Sequence, residues 1–240
     1  MNSLTFRRYG LIEYRQAHHL QTALVRRRID GEIGDTLLLL EHPPTITIGR
    51  FGRLENIVAS REQLEVEGIS LVFSDRGGDV TYHGPGQLVG YPIIDLRQHG
   101  KDVHRYIHDL EEVLIRVLGS FGISASRDLS HPGVWVESEE VAAIGLKIKR
   151  WVSMHGFALN VRPNLEHFSL INPCGFADRR ATSISRLLGH GVPMEVVIER
   201  LLSSFSEVFD IRLERSDISV GEVRISTSPL GGLLEVCKRS

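Results

Sequence analysis

The chain has 240 residues, 42% hydrophobic and 24% charged, with a formal net charge of -2. That length and balance suit one large domain or two small ones with a buried core, and they exclude the basic stripe of a general nucleic-acid binder. Two cysteines, Cys174 and Cys237, make no disulfide framework. With no secretory leader and no membrane-length apolar run, the expectation is a soluble cytoplasmic protein without nucleic-acid or membrane partners.

Thr5 to Arg8 reads as a short strand and Glu13 to Ile29 as a helix, with Ala17, Leu20, Leu24 and Arg28 on one face. The cluster Arg26-Arg27-Arg28 at its end reads as a solvated face favoured by the helix dipole. Thr36 to Leu40 is an apolar strand, broken at His42-Pro43-Pro44 and resumed at Thr45 to Ile48. Ser60 can cap a short helix to Glu67. Ile69 to Phe73 and Leu88 to Ile94 are strands around a glycine-rich stretch. Asp102 caps a helix to Phe121, with Val103, Ile107, Leu110, Leu114, Val117 and Leu118 in helical spacing. Strands follow at Val134 to Glu137, Val141 to Ile148 and Ser153 to Val161, then a helix from Pro193. The tail from Ile211 reads as polar and irregular. The order predicts an α/β (α+β) fold, a mixed sheet with packed helices, divided as a domain over 1–210 and an extension over 211–240.

Three segments carry candidate chemistry. Arg76-Gly77-Gly78-Asp79-Val80-Thr81-Tyr82-His83-Gly84-Pro85-Gly86-Gln87 offers polar tips around a backbone with few side chains in the way, a ligand-facing wall or a decorated hairpin. Asn172-Pro173-Cys174-Gly175 sets a thiol on a turn, where it is either a small buried hydrophobe or a nucleophile that needs a donor-rich neighbourhood. Ala142-Ala143-Ile144-Gly145 and His155-Gly156-Phe157-Ala158 put small residues on successive strands, the floor of a slot for a linear chain or simply close helix-on-sheet packing. His18 and His19 lie within a helix and are expected to face solvent; His42 is either structural or part of a site. No P-loop, dinucleotide fingerprint or zinc-ligand spacing is present.

In combination and in order, these segments resemble the octanoyltransferase family of lipoate biosynthesis, over roughly Leu4 to Phe209. The resemblance implies the catalytic-domain fold shared with biotin and lipoate protein ligases. It implies octanoyl-acyl carrier protein as donor, a thioester on Cys174, and a lysine of a lipoyl domain as acceptor, in 2-oxoacid dehydrogenase complexes or the glycine cleavage H protein. No cofactor or metal is implied. The substrate-binding residues carried over are Arg76, Gly77, Gly78, Asp79, Val80, Thr81, Tyr82 and His83, then Ala143, Ile144 and Gly145, then Gly156, Phe157 and Ala158. Cys174 is the implied nucleophile.

One position departs from the family pattern. Where the family places a lysine before the Ala-Ala-Ile-Gly strand, this chain has Glu140. A carboxylate beside a thiol disfavours the thiolate, the opposite of a lysine's effect. In a regular strand Lys147 and Lys149 lie an odd number of residues from Glu140 and face the other side, unless a bulge, for example at Gly145, reverses the parity. His83 or His155 is another candidate base, and lost or altered activity is a third option; the expectation is that the nucleophile is retained and supported by His83, a catalytic residue with Cys174, or by a relocated lysine. Backbone N–H groups of Gly77, Gly78 or Gly175 are candidate oxyanion donors. Arg50, Arg53, Lys149 and Arg150 are candidate docking points for an acidic carrier protein. An ATP-dependent ligase of the same fold and a non-catalytic binder of lipoyl domains or carrier protein are the competing readings.

Overall fold

The computed structural model describes residues 2–128, 131–172 and 180–216. Among these, the first strand β1 (Asn2–Leu11) leads into α1 (Tyr14–Ile29), β2 (Asp35–Glu41) and β3 (Thr45–Ile48). Then come α2 (Arg61–Val66), β4 (Ser70–Phe73), β5 (Val80–His83) and β6 (Gln87–Ile93). After α3 (Val103–Gly119) follow β7 (Ser126–Arg127), β8 (Gly133–Val136), β9 (Glu139–Lys149) and β10 (Val152–Asn160). The described chain closes with β11 (Arg180–Ala181), α4 (Ile184–Leu188), α5 (Met194–Phe209) and β12 (Ile211–Arg215).

The main sheet runs β12-β1-β2-β6-β10-β9-β8-β7, with β11 pairing β9 as well, and a smaller sheet runs β4-β3-β5. Strands at its centre are buried on both faces. Leu37 and Leu39 of β2, Leu88 of β6 and Phe157 and Leu159 of β10 pack with α3 and α5. Leu38, Leu40, Val89, Tyr91 and Ala158 point the other way, onto Ala17, Leu20 and Leu24 of α1. This two-sided burial is why Leu37 to Leu40 reads as a continuous apolar run. A third cluster, including Ile46, Ile48, Val80 and Tyr82, belongs to the small sheet.

Local chemistry sets the helix starts. Asp102 accepts from His104 and Arg105 N–H, and Ser60 accepts from Gln63 N–H.

Several sequence expectations are corrected. Val80–His83, inside the glycine-rich stretch, is a strand antiparallel to β3. Ile211–Arg215 is not irregular: it pairs in parallel with β1, Asn2 opposite Ile211. Arg28 is not solvated. It lies 7% exposed and reaches Asp35 at 2.7 Å and Asp95 at 3.5 Å, so it neutralises two buried carboxylates. His18 does not simply face solvent; its Nε2 approaches Asp75 at 3.1 Å.

A β-bulge in β9 has the largest consequence for function. Against β8, Trp135 is opposite Glu140 but Val134 is opposite Ala142, so Val141 is the extra residue. Both Val141 and Ala142 are fully buried in the α3–α5 core. The bulge shifts the alternation by one, and Glu140 joins the face carrying Ala143 and Gly145.

Candidate active site

A cavity of about 190 Å³ lies on the α1 side of the main sheet, against the glycine-rich stretch. Ala143, Ile144 and Gly145 of β9 and Gly156, Phe157 and Ala158 of β10 line it, with Val80 and Thr81 of β5. Arg76, Gly77, Gly78, Asp79 and His83 line it too. Of the carried-over residues in the described chain, Tyr82 alone is turned away. Its hydroxyl meets His167 Nδ1 at 2.7 Å and its ring packs on Phe168.

The small residues are required chiefly by the protein's own backbone. A Cβ at Gly156 would stand 2.2 Å from the Gly90 carbonyl oxygen, and one at Gly145 would stand 3.1 Å from that of Gly77. These glycines let the sheet and the glycine-rich wall approach, and the cavity is what remains between them.

Arg76 holds that wall. Its guanidinium, in a residue 8% exposed, donates to Thr47 O at 2.9 Å, Thr47 Oγ1, Gly77 O at 3.0 Å and Asp79 O at 2.7 Å. The fork therefore ties β3 to both ends of the turn before β5. Gly77 N–H donates to Leu146 O at 2.8 Å, which removes it from the candidate oxyanion donors. Gly78 has φ +87, the left-handed region that favours glycine.

One end of the cavity is a cluster of imidazoles and phenols. His83 stacks on Tyr14, with centroids 5.8 Å apart, and meets His42 edge-on at 5.6 Å. His42 Nδ1 donates to Ile12 O, so its Nε2 accepts from the Tyr91 hydroxyl, each at 2.7 Å. His42 thus orients Tyr91, which lines the cavity. His155, at φ +60, has its N–H on Gln21 Oε1 and its Nε2 on Asp75 at 2.8 Å. Asp75 also pairs with Lys147. Partial burial works to raise the Asp75 pKa, but Lys147, His155 and His18 outweigh it and hold the carboxyl well below the usual range.

Burial lowers the pKa of His42 and of His155 to about 4, the latter against the pull of Asp75. His83 is pushed well below the ordinary imidazole value by burial, then by His42 and Arg76. Burial raises the Tyr91 hydroxyl well above its usual range. These three imidazoles and the Tyr91 phenol are accordingly uncharged at pH 7. His18, Asp75 and His155 are a group that could hold a metal ion, but the Lys147 ammonium already occupies the other oxygen of the carboxylate.

The other end is formed by Trp135, Glu140, His131, Pro132, Arg180 and Ala181. The two ends are far apart along β9. His155 is opposite Leu146, six residues beyond Glu140 with one of them the bulge, or about 17 Å of strand. The bulge also settles the lysine question raised by parity. It falls at Val141 rather than Gly145 and puts Lys147 on the Glu140 face, but that lysine is bound to Asp75 at the opposite end. Lys149 is exposed.

Cys174, with Pro173 and Gly175, lies outside the described residues, as does Cys237. The residues flanking that segment are anchored. Asn172 N–H donates to Asn56 O at 2.7 Å, Arg180 and Ala181 pair with Glu139 and Glu140, and Thr182 N–H donates to Glu140 O at 2.9 Å.

Sequence reasoning missed Tyr14, Tyr91, Trp135, Phe168 and Arg180, all of which line the cavity. Tyr14 begins the buried stripe Tyr14-Ala17-Gln21-Leu24, and Tyr91 shares a strand face with Val89, so both had a periodic signal. For Trp135, Phe168 and Arg180 there was none.

The fold and cavity define an acyl-transfer or ligase-type catalytic domain. Residues 13–206 match the family model described as the lipoyl protein ligase A/B catalytic domain. The chain is similar to the octanoyltransferase of Caldicellulosiruptor saccharolyticus, 52% identical over 201 residues, which cover 83% of this chain and 86% of the relative. It is 51% identical to that of Chloroflexus aggregans over 215 residues, 88% and 97% of the two chains. Against that of Desulforamulus reducens the identity is 46% over 209 residues, 87% and 92%. The chain belongs to the octanoyltransferase family, acyltransferases of lipoate biosynthesis.

Among solved structures it resembles a lipoate-protein ligase A bound with ATP, with a TM-score of 0.69 at 17% identity over 92% of this chain and 90% of that one. A bipartite lipoate protein ligase from Thermoplasma acidophilum gives 0.67 at 17% identity, over 92% and 88%. A biotin protein ligase from Aquifex aeolicus gives 0.53 at 14%, over 88% and 71%. At these identities the likeness is one of fold, and it is the fold the resemblance implied.

Proposed function

We propose that this chain moves an octanoyl group from an acyl carrier protein thioester to Cys174, and from there to a lysine of a lipoyl domain. The observation that carries this reading is the cavity itself. Alanine, valine and glycine positions of β9, β10 and β6 wall a narrow space beside the Arg76–His83 stretch, a shape suited to an unbranched alkyl chain. The acceptors are lipoyl domains of 2-oxoacid dehydrogenase complexes or the glycine cleavage H protein. The donor thioester supplies the activation that a ligase draws from ATP, so thiolate attack exchanges one thioester for another. The Gly78 N–H is the remaining described candidate for oxyanion donor. His83, offered by the sequence as base, packs with Tyr14 and His42 and walls the cavity.

Among the described residues no helix is long and apolar enough to cross a membrane. We place the reaction in the cytoplasm, with the acyl carrier protein.

Mixing the protein with octanoyl-acyl carrier protein and recording the intact mass tests the reading. One added octanoyl group, absent in Cys174→Ser and passed on when a lipoyl domain is added, is the expected result. No adduct, with pyrophosphate released from ATP and free octanoate instead, would identify a ligase; no reaction with either would leave a binding protein.

A further inference from the structure

Two imidazoles converge on one carboxylate oxygen where α1 meets the glycine-rich wall. Asp75 Oδ1 accepts from His155 Nε2 at 2.8 Å and from His18 Nε2 at 3.1 Å. One ligand-capable atom from each of the three residues lies within 4.8 Å of the other two. The group is held from three parts of the chain. His18 projects from α1, and Gln21, one turn further on, fixes His155 by accepting its backbone N–H at 2.8 Å. Asp75 is held through its neighbour Arg76, whose guanidinium is tied to Thr47, Gly77 and Asp79. The His155 side chain is 2% exposed, against 30% for His18 and 37% for Asp75, so the group has a closed back and an open front.

We propose that His18, Asp75 and His155 form a binding site for a divalent cation of the zinc class. Two imidazole nitrogens and one carboxylate oxygen suit zinc and its first-row neighbours, whereas magnesium and calcium take oxygen ligands. Bonds of about 2.0–2.1 Å to a tetrahedral zinc set neighbouring ligand atoms about 3.3 Å apart. The separations of 2.8 Å and 3.1 Å therefore need to open only slightly. Water takes the fourth position from the open side. Each ring stays neutral by moving its proton from Nε2 to Nδ1, which frees the Nε2 lone pair for the metal. At His155 no donor opposes that shift. Its Nδ1 is buried without a hydrogen-bond partner, so Asp75 alone holds the ring as the Nε2–H tautomer. Lys147 is the competitor. Its ammonium pairs with Oδ2 of the same carboxylate, and its side chain is exposed enough, at 32%, to swing into solvent when a dication arrives. The site borders the cavity, which His155 lines, but it stands apart from the Cys174 thioester, whose chemistry uses none of these groups.

Titrating the full chain with Zn2+ against a chromophoric chelator tests the site, and one bound equivalent is the expected result. In His18→Ala, a partly exposed position on α1, the affinity should fall about a hundredfold or more while the melting temperature stays near that of the parent. In Lys147→Met it should rise about tenfold, because no ammonium then competes for Asp75. A fortuitous surface site would show neither change. Cobalt(II) supplies a second measurement that needs no variant. Its visible bands should be those of nitrogen and oxygen ligands, with no thiolate charge-transfer band, and the imidazole signals of His18 and His155 should broaden. The site falls if no zinc binds, if His18→Ala binds as tightly as the parent, or if Lys147→Met leaves the affinity unchanged. A thiolate band, which would place the metal on Cys174 or Cys237, overturns it as well.

Discussion

His83 Nδ1 lies 2.8 Å from Gln87 Oε1, and the proton on that bond belongs to the histidine. Gln87 has no freedom to flip, because its Nε2 already donates to the Tyr82 carbonyl at 3.2 Å and to Asn160 Oδ1 at 2.9 Å. Its oxygen can only accept, so His83 is the Nδ1–H tautomer and Nε2 keeps its lone pair. A glutamine just past the glycine-rich turn thereby sets the chemical state of a ring in the cavity wall.

Long-range proton–nitrogen spectra of His83 at pH 7 should show a protonated Nδ1 and a bare Nε2. The reverse pattern would refute the network. Replacing Gln87 with leucine strands a buried ring N–H and the Asn160 carbonyl, and should cost about 2 kcal/mol in denaturant unfolding.

The neutral histidines make stability depend on pH with a definite sign. His42 and His155 titrate at about 4 in the folded protein and near 6.5 when unfolded. Between those values the unfolded chain binds more protons, so stability is fully present above about pH 6.5 and is lost as pH falls toward 4. The loss should approach roughly 3 kcal/mol per histidine at the acid end. Denaturation midpoints at pH 7.5, 6 and 5 should fall in that order; a flat profile would mean that these rings are hydrated.

Asp75 raises the His155 pKa against the effect of burial. Asp75→Asn should therefore lower it below about 4, as read from the imidazole carbon shifts. The substitution also loosens Lys147, His18 and the start of the glycine-rich wall, so adduct formation should slow several-fold.

Arg76→Lys should destabilise the protein by about 2–4 kcal/mol, because an ammonium cannot span Thr47, Gly77 and Asp79 and leaves buried carbonyls unpaired. A melting temperature within a degree of the parent would show that the fork is not the clamp described.

The two glycine contacts differ in kind. At Gly156 a Cβ meets the Gly90 oxygen at 2.2 Å and Pro92 Cδ at 2.6 Å, both atoms of the central sheet, so Gly156→Ala should cost about 3 kcal/mol or more. At Gly145 the neighbours are Gly77 O at 3.1 Å and Arg76 Cδ at 3.3 Å, in the wall of the cavity. Gly145→Ala should cost only about 1 kcal/mol, yet narrow the cavity and raise the donor concentration needed for half-maximal adduct formation. Unfolding curves read beside mass-detected acylation would separate the two.

The sequence by itself determined the elements and the family. Continuous apolar runs marked strands buried on two faces, helical spacing marked α3 and α5, and three short segments in order identified the chemistry, because each depends on residues close together in the chain. Only the tertiary structure decided which groups meet. Tyr14, Tyr91 and His155 come from three elements, and Arg28 is buried because Asp35 and Asp95 converge on it. The face that Glu140 takes also lay beyond sequence reasoning. A bulge is set by the pairing of β9 with β8, a non-local hydrogen-bond register, and one extra residue in that register turned the carboxylate from the core into the cavity.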